Sequence, residues 1–252
     1  MKLKHLSASR IKTFYKCELE YFAKYDLGVE EGHTHPLTIM GKAYHKVFED
    51  ATSARMQDKE GQDPFELIDP AMQEYGVEEQ YRSLLVDLTQ NAIDWGYFRK
   101  VHQCHSVETE FSELLPDGTP VVGFIDRLDL LTGNRADIID LKTQKRKFTE
   151  SQLENNWQAD IYNWALRRLM PDVTGVVDVS FWVVRHHVQR VTRTLDDAKR
   201  IEDVLLATAA EIRACTEPTF TTSALCNWCL YKNECPSRNE NLKQRLKRKI
   251  TK

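Results

Sequence analysis

Gly123-Phe-Ile-Asp126-Arg-Leu-Asp-Leu-Leu-Thr-Gly133-Asn-Arg-Ala-Asp-Ile-Ile-Asp140-Leu-Lys142 is the stretch that decides the reading of this chain. Thr132-Gly133-Asn134 has turn chemistry, and it separates two runs rich in β-branched and apolar residues. The reading is a hairpin of strands Pro120 to Leu131 and Arg135 to Thr143. With Gly133 at the centre, Asp126 faces Asp140 on one side of the sheet, and strand parity puts Lys142 on that side too. Two carboxylates in cross-strand register repel each other, and Phe124, Leu128 and Ile138 make water scarce around them. A divalent cation between them resolves the conflict. A one-residue slip would break the pairing, and an ordinary hairpin with solvated acids is the alternative reading.

Working outward, a strand from Val107 to Leu115 precedes the hairpin across the turn Pro116-Asp-Gly118. A helix from about Ser151 to Leu169 follows, then β-rich runs at Val176 to Val184 and Gln189 to Thr194, and a long helix from Leu195 to Ala214. Before the strands, Ser7 or Ser9 caps a helix that carries Ile11, Phe14, Tyr15, Leu19 and Phe22 at helical spacing and includes Cys17. Helices are also expected from about Leu37 to Ala54 and from Glu78 to His102, with a loop from Asp58 to Pro70. The order helix–strand–strand–strand–helix–strand, framed by extra helices, predicts an α/β (α+β) fold in a single domain over residues 1–240.

The gross composition sets few limits. At 252 residues and 41% apolar content the chain can bury one sizeable core. No run approaches the roughly 18 apolar residues of a membrane span, and the N-terminus shows no signal-peptide pattern, so a cytoplasmic protein (host cytoplasm, if viral) without a membrane partner is expected. The net charge of -3 neither demands nor excludes nucleic acid. A basic tail closes the chain over residues 241–252, read as a solvated end or a phosphate-contacting arm. Of six cysteines, Cys226, Cys229 and Cys235 crowd into ten residues within a Cys-rich segment at 217–238, which suggests thiolate ligation of a metal centre. Four thiolates suit either structural zinc or a [4Fe–4S] cluster. Cys104 and Cys215 lack the spacing and read as ordinary thiols.

Asp126, thirteen intervening residues and then Asp140-Leu141-Lys142 resemble the Asp…(Asp/Glu)-x-Lys signature of PD-(D/E)XK nucleases. Gly41-Lys-Ala-Tyr-His45 resembles the RecB-like helix that supplies a metal-ligating His, and Gln158-Ala-Asp-Ile-Tyr162 resembles the Gln-x-x-x-Tyr motif of the same group. Cys17 with Cys226, Cys229 and Cys235 resembles the iron–sulfur clasp of the AddB nuclease domain and of CRISPR-associated RecB-like exonucleases. These features follow the family's chain order from Cys17 to Cys235.

The resemblance implies a restriction-endonuclease-like αβββαβ core and metal-dependent hydrolysis of DNA, as an exonuclease on single strands or duplex ends. It implies Mg²⁺ or Mn²⁺ held by His45, Asp126, Asp140 and the Leu141 carbonyl. Lys142 would stabilise transition-state charge, with Gln158 and Tyr162 shaping the site. Glu110 and Glu49 are weaker candidates. It favours a [4Fe–4S] cluster on Cys17, Cys226, Cys229 and Cys235 over zinc, stapling the N-terminal helix to the chain's end. The alternative function is a DNA-binding accessory subunit of a recombination or CRISPR-adaptation complex. A zinc-dependent structural protein would leave the acidic hairpin unexplained. Oligomeric state is open.

Overall fold

The computed structural model describes residues 1–29, 35–57, 62–229, 231–233 and 235–237. The expected basic tail at 241–252 lies outside the described residues. In chain order the elements are helices α1 (Ala8–Lys16), α2 (Glu18–Tyr21), α3 (Pro36–Met56), α4 (Ile68–Tyr75) and α5 (Arg82–Asp94). Strands β1 (Cys104–Leu114), β2 (Pro120–Leu131) and β3 (Arg135–Lys142) follow. The chain continues through α6 (Glu150–Glu154), α7 (Trp157–Leu169), β4 (Val177–Val183), β5 (His187–Arg193) and α8 (Leu195–Ala214). The expected helix–strand–strand–strand–helix–strand order is therefore present. The fold is mixed α/β, and its five strands form one sheet in the order β1-β2-β3-β4-β5.

The residues group into two compact units. One comprises His35–Phe111 and Gly123–Ile201, the other Met1–Thr34, Ser112–Val122 and Glu202–Lys252.

In the first unit β2 and β3 pair antiparallel through Arg127↔Ile139, Leu128↔Ile138 and Asp129↔Asp137, the register centred on Gly133. The crossover through α6 and α7 returns β4 parallel to β3, from Ala136↔Val177 to Lys142↔Val183. Period-two alternation divides the sheet's faces. Ile139, Leu141 and Trp182 pack with Met40, Tyr44, Val47 and Phe48 of α3 and Leu85 and Leu88 of α5. The Tyr44 hydroxyl donates to the Leu88 carbonyl at 3.1 Å and ties α3 to α5. Asp140, one residue out of phase with Ile139 and Leu141, faces α7 instead. Gly41 stands where α3 meets the end of β3. A Cβ there would lie 3.3 Å from Thr143 Oγ1, so the small residue lets the helix carrying His45 approach the strand end.

Several local expectations need correction. The helix expected over 151–169 is broken at Asn155-Asn156, because Asn156 caps α7 by accepting from the Gln158 and Ala159 amides. The long helix expected from Glu78 to His102 is helical only to Asp94 as α5, and Gly96 takes a left-handed φ of 87° just beyond it. The expected loop to Pro70 ends sooner, since α4 begins at Ile68.

In the second unit, Ser7 caps α1 by accepting from the Arg10 amide at 3.3 Å. Cys17 was expected inside that helix. It is extended instead (φ -167°, ψ 110°), closing α1 and opening α2, and so the chain is interrupted at the thiol. The Glu18 carboxylate accepts from both the amide and the hydroxyl of Thr219 at 2.8 Å, and the Leu19 amide donates to the Thr219 carbonyl at 2.9 Å. The chain's two ends are thus joined beside the cysteines by hydrogen bonds of ordinary strength.

Candidate functional site

Three elements of the first unit bring ligating atoms together. His45 comes from α3, Glu108 from β1 and Asp126 from β2, and one ligand atom of each lies within 4.8 Å of the others. His45 Nδ1 is 3.3 Å from Asp126 Oδ2 and 4.0 Å from Glu108 Oε1. Asp126 Oδ2 also accepts from the Leu141 amide at 2.7 Å, one step past the last paired residues Arg127↔Ile139. That bond turns the Asp126 carboxylate toward the end of β3.

Glu108 was not singled out by its sequence context, where Glu110 was preferred. In a regular strand the two would share a face. Glu108 instead has φ 44°, a left-handed backbone rare for a residue with a side chain, and it shifts the phase of the strand. Glu108 joins the trio and Glu110 is exposed. Glu49 lies one turn after His45, and its carboxylate pairs with Lys46 at 3.4 Å.

A second group adjoins the first. Asp140 is buried, 1% exposed, and Lys142 Nζ lies 2.6 Å from its Oδ2. Gln158 accepts from Lys142 Nζ at 3.0 Å and donates to Asp140 Oδ1 at 2.8 Å and to the Tyr162 hydroxyl at 2.6 Å. Tyr162 in turn donates to the Phe124 carbonyl at 2.6 Å. Gln158 and Tyr162 lie one turn apart on α7, so a single helix face holds both Asp140 and Lys142. Asp140 is not part of the His45 trio. Its Oδ2 has no hydrogen bond beyond the ion contact with Lys142, which leaves a buried oxygen with lone pairs to spare.

The electrostatics describe a site short of positive charge. Burial pushes Glu108 up to about 7, helped by repulsion from Asp126. Burial also raises Asp140 above the usual carboxylate range, against the pull of Lys142. Burial acts to raise Asp126 too, but His45, Lys142 and the Leu141 amide outweigh it and hold that carboxyl low. Burial opposes charge on His45, yet Asp126 lifts its imidazole to about 9. The imidazolium therefore occupies the electrostatic position a cation would take. One nitrogen and two hard carboxylate oxygens form a donor set suited to Mn²⁺ or Mg²⁺.

A pH dependence follows. His45 and Glu108 both have raised values, so each favours folding at pH below its ordinary value, 6.5 and 4.5 respectively. That contribution is lost as pH rises through about 9 and about 7. A cation needs both groups deprotonated. The melting temperature of the metal-free protein should fall between about pH 6 and about pH 8.5, while the increment added by a fixed Mn²⁺ concentration should grow over the same interval. Differential scanning fluorimetry reads both, and an increment independent of pH would contradict the assignment of the trio.

In the second unit Cys17, Cys226, Cys229 and Cys235 line one cavity together with Lys16, Glu20 and Ser223. The Ser223 amide donates to Cys226 Sγ at 3.3 Å, and the Ser237 hydroxyl lies 3.1 Å from Cys235 Sγ. Among the described residues no three of these thiols come within 4.8 Å of one another. A tetrahedral zinc with Zn–S bonds of about 2.3 Å would draw its sulfurs closer than that. Cys104, in β1, is a thiol that burial pushes up to about 11.

Comparison with known proteins accounts for the arrangement. A sequence model of the PD-(D/E)XK nuclease superfamily matches residues 5–236. The chain belongs to that superfamily. Among curated PD-(D/E)XK relatives, an ATP-dependent helicase/deoxyribonuclease subunit of Streptococcus equi subsp. zooepidemicus is 28% identical over 221 residues, 81% of this chain and 20% of the relative. The same-named protein of Streptococcus mutans is 26% identical over 217 residues, 79% of this chain and 20% of the relative. The chain therefore spans about a fifth of the length of these relatives. A solved structure from Eubacterium rectale, provisionally named an exonuclease, superposes with TM-score 0.58 at 12% identity over 90% of this chain and 87% of the other. That likeness extends the PD-(D/E)XK reading to the fold alone.

Proposed function

We propose that the chain is a metal-dependent DNA exonuclease that hydrolyses phosphodiester bonds on single-stranded or end-bearing DNA. The single observation that carries this reading is the His45, Glu108 and Asp126 trio set beside the linked Asp140, Lys142 and Gln158. Asp140 and the Leu141 carbonyl are proposed as further oxygens for the same Mg²⁺ or Mn²⁺ ion. When bound, such an ion supplies a water of lowered pKa and neutralises phosphate charge.

The remaining roles belong to the protein. Lys142, fixed between Asp140 and Gln158, offers a preorganised positive charge to the developing phosphorane oxygens. Gln158 holds the lysine and the aspartate in one plane of contact, and Tyr162 fixes Gln158 through its own bond to the strand at Phe124. The apolar packing beneath, around Ile139 and Leu141, keeps the site rigid.

The four cysteines are proposed to hold a [4Fe–4S] cluster. Support comes from the shared cavity, the wide sulfur spacing and the hydrogen bonds at Cys226 and Cys235. The relatives' printed name favours a helicase–nuclease assembly over CRISPR adaptation as the setting, and their fivefold greater length gives weight to a second reading, a DNA-holding component of such an assembly.

Digestion of 5′- and 3′-labelled single- and double-stranded DNA with Mn²⁺ or Mg²⁺ separates the two readings. Stepwise shortening from one labelled end supports the exonuclease. Binding without shortening under either ion supports the second reading.

A further inference from the structure

We infer that the segment Lys145-Arg146-Lys147, together with the β4–β5 turn Arg185-His186-His187, forms a ledge that grips the phosphate backbone of the DNA strand entering the site. The inference rests on the nuclease reading but assigns a surface that reading does not contain.

The topology makes the ledge. Because β3 and β4 run parallel with Lys142 beside Val183, both chains leave the sheet at the same end. The three basic residues that follow Lys142 by a few positions therefore emerge alongside the turn that follows Val184. Three side chains of the turn and β5 then fasten the segment by its backbone. Arg185 Nε donates to the Thr143 carbonyl at 2.8 Å, and His186 Nε2 to the Lys145 carbonyl at 2.8 Å. The Gln189 carboxamide accepts from the Phe148 amide at 2.8 Å and donates to its carbonyl at 2.9 Å, acting as a strand would.

The anchoring uses backbone groups and leaves the charged side chains outward. Lys145, Arg146, Lys147, His186 and His187 are all exposed. No Asp or Glu occurs between Lys142 and Phe148 or between Arg185 and Thr194. A basic run is ordinarily just a solvated face. This one is unusual in being held rigid by four hydrogen bonds from a neighbouring hairpin, and in starting three residues from the lysine proposed to meet the scissile phosphate. Phosphate contacts of this kind position a strand without reading its bases, which suits an exonuclease that must accept any sequence.

The test measures binding to a labelled oligothymidylate of about 20 nucleotides in EDTA, where nothing is cut, across a salt series. The variant carries Lys145→Gln, Arg146→Gln and Lys147→Gln, and a control carries Lys247→Gln, Arg248→Gln and Lys249→Gln in the tail. Each phosphate released from a single strand changes the log–log salt slope by about 0.7, so the ledge variant should lower the slope by about 2 and weaken binding at least about tenfold. Its melting temperature should not change, because the residues are exposed, and in the presence of Mn²⁺ its KM should rise more than its kcat falls. A slope and affinity equal to wild type, a loss confined to the tail variant, or no binding by wild type would each overturn the inference. If the ledge variant behaves as expected but wild type digests nothing, the ledge stands and the nuclease reading falls.

Discussion

Asp126→Asn should lower DNA cleavage by about a thousandfold or more, with little change in the fold. The argument is one of charge. Asn keeps an oxygen that can accept from the Leu141 amide, as Asp126 Oδ2 does at 2.7 Å, so the end of β3 stays in place. It loses the negative charge that faces His45 at 3.3 Å and Glu108. The site's attraction for a divalent cation then falls, and with it the chemistry the cation supplies. A thousandfold loss corresponds to about 4 kcal/mol of transition-state stabilisation, a usual figure for one element of a preorganised electrostatic site. Single-turnover digestion at saturating Mn²⁺ checks the rate, and thermal melting in EDTA checks the fold. Loss of folding along with activity would shift Asp126 to a structural role. Activity within about tenfold of wild type would remove it from the site.

Cys229→Ala should give the largest stability effect: a colourless protein, mostly insoluble or melting at least about 10 °C lower. The reason is that the cysteines join distant parts of one chain. Cys17 sits in an extended break between α1 and α2, and the other three thiols follow α8. A bound metal centre contributes its binding energy to folding, and for structural metal sites that is on the order of 10 kcal/mol. The hydrogen bonds from Thr219 to Glu18 and Leu19 hold the same junction, each contributing about 1 kcal/mol. They cannot replace a cluster. Cys104→Ala, at a thiol of β1 outside the cavity, serves as the control and should keep colour and solubility. A Cys229→Ala protein as stable as wild type would contradict the clasp, and zinc without iron in protein purified under anaerobic conditions would identify the other metal.

The sequence was legible wherever one local rule had no competitor. Gly133 between two β-rich runs set the hairpin register, and the observed pairs Leu128↔Ile138 and Asp129↔Asp137 follow it. The Gln158 and Tyr162 spacing placed both on one face of α7, where the structure finds them bonded to each other. The misreadings have physical causes too. Apolar periodicity runs through Cys17 and through Asn155-Asn156, but extended backbone and an Asn cap interrupt the helices there. Glu108 was passed over for Glu110 because alternation cannot see a single left-handed residue that shifts a strand's phase. Asp140 was read as Asp126's partner around one ion. In the structure its carboxylate is taken up by Lys142, Gln158 and Tyr162, partners that come from a helix the hairpin alone does not reveal. The anchoring of Lys145 to Lys147 depends on side chains some forty residues later in the chain, and no local pattern announces it.

The account stands on a cation seated among His45, Glu108 and Asp126. Crystals soaked in Mn²⁺ and measured at the manganese absorption edge test that directly. An anomalous peak within about 2.5 Å of a ligand atom from each of the three residues, absent in Asp126→Asn crystals, is the predicted result. A peak placed elsewhere, or one that persists unchanged in the Asp126→Asn protein, would contradict it.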